Sequence, residues 1–138
     1  MGRVVTEFQP LLLDTSALIF WHADSPRLSA RARAAMMEAL TRPVYVSAIS
    51  AFEIATKVRI GKLTVPEPML VDFQYYVEAD GFRLLDLSAA ASVMAGRFTS
   101  THRDPFDRLL AAQARVHECA VVTTDALFAS EFGADLFW

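Results

Sequence analysis

The sequence predicts an α/β protein in which helices cover both faces of a parallel β-sheet. Two observations lead to this prediction: short apolar, β-branched runs recur along the chain, and segments with the apolar spacing of helices lie between them. No repeat, linker or low-complexity stretch interrupts the alternation. Because parallel sheets of this kind bind ligands beyond the carboxyl ends of their strands, we expect functional residues there.

The expected strands are too short to form buried helices. Three of them are clear, at residues 10–13, 44–46 and 120–123. A fourth is expected at residues 82–85, because the turn signal Asp80-Gly81 precedes it, and a fifth at the carboxyl end. Each strand is followed or preceded by a helical segment, so the strands are expected to pair in parallel.

The expected helices are bounded by turn and capping residues. Asp24-Ser25-Pro26 and Arg42-Pro43 flank the second helix, which is rich in alanine and arginine. Asp104 is typical of an N-cap, and Pro105 suits the first helical position because its missing N–H costs nothing there. In chain order the expected helices are residues 16–22, 29–40, 48–60, 69–79, 89–98 and 105–117.

The bulk composition is that of one globular domain. The chain has 138 residues, 54% of them hydrophobic and 21% charged, so it can bury a core without a disulfide or metal staple. The single cysteine, Cys119, is expected in a buried strand and is compatible with a reducing compartment. The apolar residues 11–21 are interrupted by Asp14, Thr15 and Ser16, and no run approaches a membrane span. We therefore expect a cytoplasmic protein with no membrane contact.

The charge distribution is uneven. A net charge of −3 argues against nucleic acid as a partner, because affinity for phosphate backbones comes mainly from Lys and Arg. Residues 27–62, however, carry seven basic side chains and two acidic ones. This basic stretch could guide a nucleic-acid strand, although solvated helix faces explain most of its residues individually.

Two acidic residues follow expected strands. Asp14 comes directly after Leu13, and Asp125 comes after the apolar strand that ends in Thr123 and Thr124. In both places a carboxylate and hydroxyls precede a helix, so each Asp could be a simple N-cap. The same arrangement also places both carboxylates at the carboxyl ends of strands, where a ligand would bind.

Two further acidic residues lie in expected helices close to strand ends. Glu53 has apolar neighbours, and an ion pair with Lys57 four residues later is its ordinary explanation. Asp107 is the third residue of its helix, where it could complete a capping box with Asp104. Capping or an ion pair explains each acid separately, but neither explains why four acids should converge on one crevice.

Converging carboxylates repel one another unless divalent cations neutralise them. Oxygen ligands select Mg²⁺ or Mn²⁺, and the absence of thiolate and histidine from the set disfavours zinc. A sparse carboxylate site leaves water on the metal, and such water can attack a phosphodiester while the metal stabilises the charge that builds on oxygen. The acids therefore predict metal-dependent phosphodiester hydrolysis.

Five segments in order resemble the PIN-domain ribonucleases, and within them the VapC-like toxins of type II toxin–antitoxin pairs. The resemblance covers nearly the whole chain, and the ordered set is more specific than any one motif. The segments are Leu12-Leu13-Asp14-Thr15-Ser16-Ala17, Ser47-Ala-Ile-Ser-Ala-Phe-Glu53-Ile-Ala-Thr-Lys57, Gly61-Lys62-Leu63, His102-Arg-Asp-Pro-Phe-Asp107-Arg-Leu-Leu-Ala-Ala-Gln113 and Val122-Thr-Thr-Asp125.

The resemblance implies a single PIN domain over residues 1–138, with three α/β/α layers and a parallel sheet of about five strands. It implies that Asp14, Glu53, Asp107 and Asp125 are catalytic, metal-site acids. Asp14 and Asp107 would be direct ligands of Mg²⁺ or Mn²⁺, and Glu53 and Asp125 would act directly or through water. Thr123 and Ser16 would hydrogen-bond the carboxylates or the metal's waters. The substrate would be RNA, a small antitoxin would cover the site, and the protein would form a homodimer.

Three other functions fit the sequence less well. A phosphatase with an aspartyl nucleophile after its first strand normally has a second Asp where this chain has Ser16. A receiver-like signalling domain needs an acceptor Asp at the end of a middle strand, where this chain has Ser47. A non-catalytic PIN-like module that binds RNA or protein stays open as the alternative, although the presence of all four acids argues against a decayed site.

Overall fold

The computed structural model describes Val5 and residues 8–138. Its centre is a five-stranded sheet in which every neighbouring pair of strands is parallel and the strand order is β3-β2-β1-β4-β5. The strands are β1 (Leu11–Leu13), β2 (Val44–Ser47), β3 (Arg83–Leu85), β4 (Ala120–Val122) and β5 (Asp135–Phe137). The prediction of an α/β fold with about five parallel strands is confirmed.

Helices connect the strands and lie on both faces of the sheet. They are α1 (Thr15–His22), α2 (Ala30–Met37), α3 (Ala48–Arg59), α4 (Glu67–Val71), α5 (Phe73–Glu78), α6 (Ala89–Arg97), α7 (Pro105–Val116) and α8 (Leu127–Ser130). Among the helices formed by the described residues, no candidate membrane span is found.

The strand side chains alternate between two hydrophobic cores, as the two-residue period of a strand requires. Leu11 and Leu13 pack in the core that contains buried residues of α1, α2 and α5. Leu12 packs in the opposite core with Leu110 of α7 and Phe128 of α8. Both faces of β1 are covered, so all three of its side chains are buried, which accounts for its all-leucine sequence.

The order in which strands join the sheet reverses at the central strand, β1. From β1 the chain adds β2 and then β3 on one side, and later adds β4 and β5 on the other. The carboxyl ends of β1 and β4 therefore border a topological switch point, where the backbone N–H of Asp14 donates to the carbonyl of Val122 at 3.2 Å. Switch points of this kind form the ligand-binding crevice in open α/β sheets.

One predicted helix is wrong, and one short helix was expected without bounds. Residues 69–79 do not form one helix, because Asp72 between α4 and α5 adopts φ −146° and ψ 84°. Its carboxylate accepts a hydrogen bond from the Tyr75 N–H at 3.1 Å and so begins a second helix. The four-residue α8 follows Asp125, and the residue at its N-cap position, Ala126, makes no side-chain hydrogen bond.

Cys119 is buried, as expected, and lies immediately before β4 rather than within it. Burial raises the pKa of its thiol to about 12. The thiol is therefore protonated and unreactive at neutral pH.

Candidate active site

Asp14 follows the carboxyl end of β1 and caps α1. Its Oδ1 accepts a hydrogen bond of 2.7 Å from the Ala17 N–H, and Thr123 hydrogen-bonds the same carboxylate from the end of β4. The capping explanation for Asp14 is thus correct, and it is compatible with a site role because the carboxylate also lines two cavities.

Glu53 points back from α3 towards the amino end of α1. Thr15 Oγ1 donates a hydrogen bond of 2.6 Å to Glu53 Oε1, and the hydroxyls of Thr15 and Ser50 are hydrogen-bonded at 3.0 Å. Lys57 Nζ lies 2.9 Å from the other carboxylate oxygen, Oε2. The helix ion pair therefore exists, but Glu53 also belongs to a buried hydroxyl network beside Asp14.

Asp107 lies in the first turn of α7 and does not serve as a cap. Asp104 is the N-cap, since its Oδ1 accepts from the Phe106 N–H at 2.9 Å. Asp107 Oδ2 instead lies 2.9 Å from His102 Nε2, and both side chains are 25% exposed. His102 is therefore a partner of a site acid rather than a freely solvated side chain.

Asp125 keeps a local capping role at the end of β4. Its Oδ1 accepts from the Leu127 N–H at 3.0 Å, and its own N–H donates to Thr123 Oγ1 at 3.0 Å. Its carboxylate also lines the larger of the two cavities, together with Asp14 and Asp107.

Two adjoining cavities connect the four acids. Asp14, Asp107 and the exposed Ser16 line both. The larger, of about 300 Å³, adds Asp125, and the smaller, of about 50 Å³, adds Glu53. Asp14 and Asp107 thus lie centrally, with Glu53 and Asp125 on either side.

The acids do not form a ready-made metal cage. Across Val5 and residues 8–138, no group of three or more His, Cys, Asp or Glu side chains is arranged as a site that could hold a metal ion. Thr15 and Lys57 hold Glu53 on one side of Asp14 and Asp107, and Leu127 and Thr123 hold the Asp125 loop on the other.

The electrostatics reflect the crowding of carboxylates. Burial, followed by the charges of Asp107 and Glu53, raises the pKa of Asp14 to about 6, although hydrogen bonds from Thr123 and Ala17 oppose the shift. Burial also raises the pKa of Asp107, and its hydrogen bond with His102 opposes this only in part. The same hydrogen bond raises the pKa of His102. A cation in these cavities would favour the ionised carboxylates.

Sequence reasoning assigned some polar residues incompletely. The guanidinium of Arg108 donates to four backbone carbonyls in residues 95–102, a role that the sequence does not indicate. Sequence reasoning named the Thr15 hydroxyl without its bond to Glu53, and it did not name Ser50. The hydrogen bonds of Thr15 with Glu53 and Ser50 join distant segments, so only the adjacency of Thr15 to Asp14 could have indicated them.

A sequence-family comparison decides the classification. The model of the PIN domain family matches residues 11–130, which include all four acids. The chain belongs to the PIN-domain family. A comparison with curated proteins by sequence gives no match.

Solved structures resemble this PIN domain over most of its length. The DNA-bound VapBC complex of Salmonella typhimurium contains a chain with a TM-score of 0.70 and 20% identity, covering 94% of this chain and 97% of that one. VapBC2 of Rickettsia felis, bound to a promoter DNA fragment, gives 0.67 and 15%, covering 92% and 96%. FitAcB of Neisseria gonorrhoeae gives 0.63 and 20%, covering 93% and 96%. At these identities the likeness shows the fold.

Proposed function

We propose that this PIN domain is an Mg²⁺-dependent endoribonuclease, for which Mn²⁺ can substitute, and that it is the toxin of a toxin–antitoxin pair. One observation carries the proposal. Asp14 and Asp107, from different parts of the chain, line the same two cavities at the switch point of the sheet, and Glu53 and Asp125 flank them.

The donor set fits a hard divalent cation. The candidate ligands are carboxylate oxygens with hydroxyls close by, and Mg²⁺ is usually held by one or two carboxylates while it keeps several waters. Asp14 and Asp107 would hold the cation directly, and Glu53 and Asp125 would act through water. This arrangement needs no cage of three protein ligands. Burial and like charge hold the pKa of Asp14 at about 6, so a cation would relieve a real electrostatic cost.

A bound cation would supply an activated water and neutralise charge on the phosphoryl oxygens during cleavage. The protein's own residues orient the acids for this role. Thr123 and the Ala17 N–H fix the Asp14 carboxylate, and His102 Nε2 holds one oxygen of Asp107. Thr15 and Lys57 fix Glu53 at the edge of the smaller cavity.

The basic stretch of residues 27–62 would guide the RNA strand towards the acids. If so, neutralising its side chains should weaken RNA affinity and flatten its salt dependence. An unchanged salt slope would contradict the guidance role without affecting the role of the acids.

The proposed partners follow from the related complexes. Those structures are VapBC and FitAB assemblies, and a further similar structure is a toxin–antitoxin complex from Klebsiella pneumoniae. We therefore propose that a small antitoxin covers the acids. We also propose that the chain forms a homodimer and that it acts in the cytoplasm, where its RNA substrate is found. The exposed Val71 and Tyr75 of α4 and α5 offer apolar surface for a protein partner.

A non-catalytic PIN module is the second candidate, and the lack of a preformed three-residue metal site among the described residues favours it. Cleavage of total cellular RNA separates the two. We expect the purified protein to cleave RNA with Mg²⁺, to lose activity with a chelator, and to lose it in a folded Asp14→Asn variant. Equal cleavage by both proteins would indicate a contaminating nuclease, and no cleavage by either would support the binding module. Growth arrest on expression without an antitoxin is the cellular counterpart.

A further inference from the structure

A positively charged side chain lines the larger acidic cavity. Arg27, in the loop between α1 and α2, borders it together with Asp14, Asp107 and Asp125. Arg27 is exposed, and it forms no ion pair with any of residues 8–138. Its guanidinium carbon lies 4.8 Å from the centre of the Phe20 ring, which also lines the cavity. The guanidinium is therefore oriented by an aromatic face and its N–H donors are available.

Three other cationic side chains near the acids are already engaged. Lys57 pairs with Glu53, His102 pairs with Asp107, and the Arg108 guanidinium donates to four carbonyls. Moving any of them to a ligand would break a contact that the fold uses. Arg27 can bind a ligand without that cost.

The loop that carries Arg27 is well held. The Arg27 N–H donates to Ser25 Oγ at 3.2 Å, and the next residue, Leu28, is buried in the core. Arg33 of α2 donates to the Ser25 carbonyl at 3.2 Å and pairs with Asp24 at 3.0 Å. The backbone at Arg27 is thus fixed from both sides, so its side chain starts from a defined position beside the cavity.

We propose that Arg27 binds a phosphate of the RNA chain in this cavity, which it lines together with the acids, an assignment that rests on the proposed function. Three carboxylates would repel a phosphate that enters the cavity, and a cationic side chain that lines the same cavity offsets that repulsion. A guanidinium also matches a phosphate with two parallel hydrogen bonds. Stacking on Phe20 keeps the guanidinium plane pre-organised for that contact.

The test measures RNA and metal binding separately. A labelled single-stranded RNA oligonucleotide is titrated with wild type, Arg27→Gln and Arg27→Lys by fluorescence anisotropy, with Ca²⁺ and over a range of KCl concentrations. Arg83→Gln is the matched control, because it removes the same charge from an exposed residue at the amino end of β3, the opposite end of the strands from the acids. Mn²⁺ affinity is measured for all variants.

We expect Arg27→Gln to weaken RNA binding about tenfold and to reduce the slope of log affinity against log salt by about 0.7, the value for one phosphate contact on a single strand. Arg27→Lys should retain the slope, and Arg83→Gln should match wild type in affinity. Mn²⁺ binding by Arg27→Gln should be unchanged or tighter, since a positive charge near the acids has been removed.

Three results would overturn the assignment: unchanged RNA affinity in Arg27→Gln, an equal loss in Arg83→Gln, or weakened Mn²⁺ binding, which would indicate a structural role. If wild type binds RNA and Arg27→Gln binds it equally well, only this assignment fails. If wild type neither binds nor cleaves RNA, the proposed function fails and the assignment fails with it.

Discussion

Thr15 Oγ1 donates a 2.6 Å hydrogen bond to Glu53 Oε1, which joins the residue after Asp14 to an acid of α3. Thr15 is buried, so this hydroxyl is the internal donor that offsets the cost of placing Glu53 beside other carboxylates. The bond therefore links the positions of two site acids whose segments are separated by α2 and β2.

Removing that hydroxyl should impair activity more than folding. In Thr15→Val the Glu53 carboxylate loses its donor, and we expect RNA cleavage to fall about tenfold or more. Thr15→Ser keeps the donor and should stay close to wild type. The measurement is kcat and KM for RNA cleavage with Mg²⁺, with thermal unfolding as the control for folding. Equal activity of the Val and Ser variants would contradict the role given to the bond.

Asp14 should destabilise the metal-free protein at neutral pH. Its pKa rises from an ordinary value of 3.8 to about 6 in the folded state, so folding favours the protonated form. The stabilising contribution is fully present below pH 3.8 and is lost as pH rises through about 6. Asp14→Asn keeps a side-chain oxygen for the Ala17 N–H but carries no charge. Without metal, we expect it to be roughly 1–3 kcal/mol more stable than wild type above pH 7.

Urea unfolding of both proteins at several pH values, with a chelator present, checks this prediction. The difference between them should shrink towards acid pH, where wild-type Asp14 is protonated. Added Mg²⁺ should stabilise wild type and have little effect on Asp14→Asn. A metal-free wild type that is more stable than the variant at neutral pH would contradict the raised pKa.

His102 should extend metal binding to lower pH. Its hydrogen bond opposes the rise in the pKa of Asp107, so its removal should raise that pKa further. In His102→Ala, Asp107 would ionise only at higher pH. The pH below which Mn²⁺ affinity falls should therefore be higher in this variant than in wild type. Titration of Mn²⁺ at several pH values measures the shift, and Arg103→Ala, at an exposed neighbouring position, is the control. If Mn²⁺ affinity falls at the same pH in both proteins, His102 does not influence the metal site.

Arg108 should act on stability through the loop that carries His102. Its guanidinium donates to the carbonyls of Ala95, Phe98, Ser100 and His102. Arg108→Met keeps much of the side-chain packing but leaves these acceptors without their donor, and we expect a loss of about 2–4 kcal/mol. Denaturant unfolding measures it, with Arg103→Met as the exposed control. A loss no larger than that of the control would mean that solvent replaces these bonds.

The sequence was sufficient to predict the sheet and the candidate acids because those features are local. Short apolar runs followed by Asp14 and by Asp125 have a direct structural meaning at the ends of parallel strands. The break at Asp72 was not predictable with the same certainty, because its side-chain hydrogen bond competes with a helical pattern that continues across it. The bond of Thr15 to Glu53 joins distant segments, and the bonds of Arg108 depend on the path of residues 95–102 before α7; no periodicity encodes either.

The central claim is that Asp14 and Asp107 share a divalent cation, and a crystal grown with Mn²⁺ tests it most directly. Data collected near the manganese absorption edge should give an anomalous peak within coordination distance of both carboxylates, about 2.0–2.3 Å from the nearest oxygen of each. The peak should be absent from Asp14→Asn crystals grown in the same way. A wild-type crystal with ordered Asp14 and Asp107 side chains and no anomalous peak between them would contradict the claim.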